Sequence, residues 1–63
     1  MSEHTIYLLK KLEGRMLITA NFMIKKSDQE ISAHGREIEG ARQQVVSWIK
    51  GIEDSKKALP KQP

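Results

Sequence analysis

Between Ser27 and Leu59, apolar residues recur every seven positions: Ile31, Ile38, Val45, Ile52 and Leu59. His34, Ala41, Trp48 and Ser55 occupy the complementary heptad position. This pattern predicts a long amphipathic helix that packs against another helix. Upstream, Leu8, Leu9, Leu12, Met16, Ala20, Met23 and Ile24 share one arc at helical spacing, with Ile6 and Leu17 at its edge. That arc covers about half the circumference of a helix wound at about 100° per residue. A strand is the rival for this segment, because Met16, Ile18, Ala20, Phe22 and Ile24 alternate with Leu17, Thr19 and Asn21. Glu13-Gly14 would then be a hairpin turn. However, Leu8-Leu9-Lys10-Lys11-Leu12 does not alternate, and Leu, Met, Lys and Ala favour helix.

Lys25-Lys26-Ser27-Asp28-Gln29-Glu30 separates the two patterns. The lysines suit a helix C-terminus, where the dipole is negative. Ser27 with Glu30 reads as a capping box at the start of the next helix. A stop and a start this close predict a tight turn between antiparallel neighbours. If the chain reverses there, facing residues sum to about 54: Met23 with Ile31, Met16 with Ile38, Leu9 with Val45, Ile6 with Trp48. Leu12 then falls opposite Ala41 and Arg42.

The predicted fold is all-α: an antiparallel helical hairpin with helices at about 3–25 and 28–57, a turn at 26–27 and a tail at 60–63. The second helix outruns the first, leaving Ile52 and Leu59 without an intrachain partner. Trp48, Ile49, Ile52 and Leu59 are therefore the candidate dimer interface, and the hairpins are expected to pair into an assembly like a four-helix bundle. A β-hairpin followed by a long dimerising helix is the alternative. Gly35, Gly40 and Gly51 mark either close approach of another backbone, a local break near Gly35, or tolerated surface positions.

Length strengthens the case for a partner. At 63 residues, a single domain buries only about 60% of its unfolded surface. With no cysteine, disulfides and thiolate metal sites are unavailable, so oligomerisation is the expected support. No apolar run approaches the about 20 residues that span a bilayer. The start lacks the basic region of a signal peptide, and the expected compartment is the cytoplasm, without membrane contact. The net charge of +3 is uneven: residues 1–26 carry five basic and two acidic groups, residues 27–59 five basic and six acidic, and Lys61 adds the rest.

Catalytic groupings are missing. The sequence has no phosphate loop and no serine–histidine–acid spacing, and a two-helix chain offers no cleft; no catalytic residues, metal or cofactor are expected. Glu30, His34 and Glu37 share a helix face, but capping and flanking roles account for them. Alternatively, His34 meets its symmetry mate, and protonation near about pH 6 would weaken a dimer. The most informative constellation is a stripe on the first helix opposite the Leu/Met arc: Tyr7, Lys11, Arg15, Ile18, Phe22 and Lys25. Three readings stay open. The stripe is buried against a partner protomer with its lysines reaching past, it recognises a protein, or it binds nucleic acid by stacking and phosphate contact. Trp48 reads as a core residue by its seam position, or as an anchor for a target.

Two resemblances follow. The hairpin plan with its capped turn at Ser27–Glu30 resembles the plasmid copy-control protein that dimerises two helical hairpins and binds paired RNA loops; the residues do not follow that protein. The length, the segment KKLEGRM (Lys10 to Met16) and the segment EIEGARQQVVSWIK (Glu37 to Lys50) are similar to a small accessory open reading frame of lambdoid phages, in the early region between the exonuclease and excisionase genes. That resemblance implies a non-catalytic early protein that modulates host physiology or phage development by acting on a host or phage macromolecule, and it carries no site residues.

Overall fold

The computed structural model describes the backbone of residues 2–58 and the side chains of residues 3–56. Leu59 and the tail at 60–63 lie outside the described residues. Two helices account for nearly all of it: α1, Ser2–Ile24, and α2, Gln29–Ala58. They lie against each other as a hairpin, and no strand occurs among the described residues. The β-hairpin alternative is thereby corrected. The alternating run Met16–Ile24 is helical because a helix satisfies its own backbone hydrogen bonds, and α2 covers its Met16, Ala20 and Met23 side.

The turn differs from expectation in its cap. Asp28, not Ser27, caps α2: its Oδ1 accepts from the N–H of Glu30 at 2.9 Å and of Ile31 at 3.1 Å. The first helical bond runs from the Ser32 N–H to the Asp28 carbonyl at 2.9 Å. Starting the helix one residue later puts Ile31 at the third helical position, so a reciprocal Glu30 contact no longer fits the capping-box geometry. α1 closes with the Lys25 N–H on the Asn21 carbonyl and the Lys26 N–H on the Met23 carbonyl. No residue of the turn takes a positive φ.

The seam runs through positions separated alternately by three and four: Ile6, Leu9, Glu13, Met16, Ala20 and Met23 on α1, and Gly35, Ile38, Arg42, Val45, Ile49 and Ile52 on α2. Ile6, Val45 and Ile49 form the apolar cluster, with Leu9, Met16 and Ile52 packed on it. Toward the turn, Ala20 is 0% exposed and faces Gly35. A Cβ built on Gly35 would sit 2.8 Å from the Ile24 nitrogen, 2.8 Å from the Met23 Cβ and 3.0 Å from the Ala20 carbonyl oxygen. Gly35 is thus the close approach, whereas Gly14, Gly40 and Gly51 face open space.

Two expectations about α2 are corrected. His34, Ala41, Trp48 and Ser55 lie outside the seam and are exposed; Gly35, Arg42 and Ile49 replace them. The close approach explains the rotation. Helices in backbone contact at Ala20 and Gly35 have no room for an imidazole there, and Arg42 meets Glu13 across the seam. Ile6 accordingly packs with Val45 and Ile49 rather than with Trp48. Ile49 and Ile52 also have intrachain neighbours, contrary to the expectation that this end is unpaired.

Candidate functional site

The outer stripe of α1 points away from α2 and is solvent-facing along its length. Tyr7, Lys11, Arg15, Ile18, Phe22 and Lys25 are all exposed. Ile18 at 72% and Phe22 at 61% are the most exposed large apolar side chains among the described residues. Their spacing of four places them one turn apart, with Asn21, Lys25 and Lys26 around a shallow depression at the turn end of the helix. The helix keeps them there because the opposite face is held by the seam.

Cations lie beside both aromatic rings of the stripe, one on a ring face and one at a hydroxyl edge. The Lys26 ammonium lies 4.0 Å from the Phe22 ring centroid. Lys11 lies 5.3 Å from the Tyr7 ring centroid and donates to its hydroxyl at 3.5 Å. His4 stacks on Tyr7 at 6.4 Å between centroids. Each contact takes up part of a ring surface and holds positive charge beside an apolar one. All six stripe residues named from the sequence are exposed; the sequence reading left out Lys26, which reaches Phe22 from just beyond the helix end.

The four candidate interface residues separate. Trp48 is 52% exposed, Ile49 is buried and Ile52 is partly buried in the intrachain cluster, and Leu59 lies outside the described residues. Trp48 therefore takes no core role within the chain, and its indole surface stays available.

One feature escaped the sequence reading. Arg42 binds Glu39 through two parallel bonds, Nε to Oε1 and Nη2 to Oε2, both 2.9 Å, and also reaches Glu13 on α1. Gln43 donates to Glu39 at 2.8 Å. Hydrogen bonds from Arg42 and then Gln43 hold the Glu39 carboxyl down to about 2, and Glu39 and Glu13 in turn raise Arg42 above its ordinary value. The signal was present: Glu39 and Arg42 lie three apart, and a turn near residue 27 places Glu13 opposite Arg42. This network joins the two helices and has no open position for a substrate. His34 is exposed and shares a hydrogen bond with Glu37 Oε1 at 3.1 Å. No group of three His, Cys, Asp or Glu able to hold a metal occurs among the described residues. No helix among them is long and apolar enough to cross a membrane.

Comparison with protein-family models, with curated proteins and with solved structures gives no match to this chain. The surface itself carries the functional reading.

Proposed function

We propose that this is a small non-enzymatic interaction protein that self-associates and docks a macromolecular partner on the outer stripe of α1. The observation that carries the proposal is the Ile18–Phe22 pair, strongly exposed, with Lys25 and Lys26 beside it and Lys11 and Arg15 further along the same stripe. A monomeric surface rarely holds large apolar side chains at such exposure on one face without a partner for them. The partner that fits is a protein with an apolar groove and an acidic rim, the common way a helix face is recognised. Nucleic acid is the second reading, favoured by the surplus of positive charge on residues 1–26. The protein reading is preferred because Lys26 already covers a face of Phe22 that base stacking would use.

The likeness to a lambdoid-phage early open reading frame adds the biological setting: a phage-encoded protein in the host cytoplasm, modulating phage development or host physiology through a host or phage target. The hairpin would act as a dimer arranged like a four-helix bundle.

A pull-down from host lysate tests the stripe. A partner retained by the wild-type chain, released by Phe22→Ala and by Ile18→Glu, and insensitive to nuclease supports protein recognition. Loss of the captured material on nuclease treatment, with binding weakened by Lys11→Ala plus Arg15→Ala and falling steeply with salt, selects nucleic acid. Capture that is unchanged in all these variants sinks the stripe as the site.

A further inference from the structure

The two broad sides of the hairpin differ in charge. On one side Lys10 of α1 and Glu53 of α2 are bridged at 3.3 Å, with Lys50 along the same groove. That bridge fixes which flanks of the two helices share a side. At about 100° per residue, the opposite side carries Leu8 and Leu12 from α1 and Ala41 and Trp48 from α2. All four are exposed. Register follows from three contacts, Ile6 with Ile49, Glu13 with Arg42 and Ala20 with Gly35, whose numbers each add to 55. In that register Leu8 lies level with Trp48 to within one residue and Leu12 with Ala41 to within two. They form one patch near the middle of α2.

We propose that this patch is the contact with a second copy of this chain. The inference rests on the self-association reading above and assigns it to a side of the molecule other than the Ile49–Ile52 end.

Three features favour a second copy. The intrachain core is thin: among the described residues only Ile6, Ala20, Val45 and Ile49 are buried apolar residues, and no large side chain is fully buried. Two helices each about 10 Å across, overlapping for about 35 Å, present a side of about 700 Å2, near the about 800 Å2 per partner of a stable interface. The charges at the patch border are complementary under a symmetry axis parallel to the helices. Such an axis lays α1 of each copy on α2 of the other, with both turns at one end. Leu8 and Leu12 then meet the partner's Trp48 and the partner's Ala41. Arg15, on the flank of α1, comes beside the partner's Glu37, three residues away along the axis in the same register. Of the outer stripe, Arg15 borders this contact, whereas Ile18 faces away from it.

Sedimentation equilibrium of the full chain tests the assignment. The wild type is expected at twice the chain mass. Trp48→Glu and Leu12→Glu should each weaken association by about tenfold or more, as for a central interface residue. Glu37→Lys should weaken it by about two- to fivefold, the scale of an exposed ion pair, and adding Arg15→Glu to that variant should restore it. The charge pair decides the matter even where Trp48→Glu loses its helicity, because neither partner belongs to the core. A wild-type chain that sediments at single-chain mass at high micromolar concentration overturns self-association itself. A wild type that associates, with Trp48→Glu folded and unchanged in mass or with no restoration by the paired reversal, overturns this interface alone.

Discussion

The two ends of the hairpin are held together by opposite means. Next to the turn the backbones touch, and contact depends on what is missing: Gly35 has no side chain, and Ala20 has one carbon. At the far end Ile6, Val45 and Ile49 fill the space between helices, with Leu9 and Ile52 beside them. One end selects by steric exclusion and tolerates no addition. The other depends on apolar area and tolerates no removal. Between them, Arg42 reaches Glu13 and fixes the axial register. The exposed pairs Lys10–Glu53 and Glu3–Lys56 add little, since ion pairs in water contribute about 0–1 kcal/mol each.

This contrast makes ordered predictions for thermal or urea unfolding followed by circular dichroism. The largest effect belongs to the far end. Ile49→Ala removes a buried side chain and should cost about 2–5 kcal/mol, enough to unfold most of so small a domain. A loss below about 1 kcal/mol would show that the apolar cluster is not what closes that end. At the near end, Gly35→Ala should destabilise by up to about 2 kcal/mol, since overpacking against fixed backbone atoms costs about 1–3 kcal/mol and helix propensity returns about 1 kcal/mol. Gly40→Ala, in open space on the same helix, should instead stabilise by about 0.5–1 kcal/mol. If both glycine variants gained stability, the close approach would be refuted. Asp28→Ala should remove about 1 kcal/mol through the lost cap, while Ser27→Ala should change little; equal effects would restore Ser27 to the capping role.

Much of the fold is legible in the sequence, and the reason is periodicity. The two arcs, the turn near residue 27 and the pairing sum of about 54 place both helices within a residue or so and the register within one. What periodicity leaves open is rotation about the axis of α2. Ile31, Ile38, Val45 and Ile52 form a heptad with either His34, Ala41 and Trp48 or Gly35, Arg42 and Ile49, because the two sets differ by a single residue. Counting hydrophobicity favours Trp48 and Ala41. The structure favours the set with the glycine and the arginine, because close packing rewards smallness and Glu13 satisfies Arg42. The cap was misread for a related reason: Ser27 and Asp28 are both good capping residues, and only backbone geometry chooses between them. The outer stripe of α1 was readable because it rests on α1 alone. The patch around Trp48 was not, because it needs both helices in their true rotation.

The placement of Trp48 has an optical consequence. It is the one tryptophan in the chain, and it stands half exposed on the side away from the Lys10–Glu53 bridge. Its emission maximum should shift to the blue wherever that side is covered, and the proposed contact with a second copy predicts a red shift on dilution. Ligands seated on Ile18 and Phe22 should leave it unmoved. The single indole thus reports one surface of the hairpin and is blind to the other, with no label added.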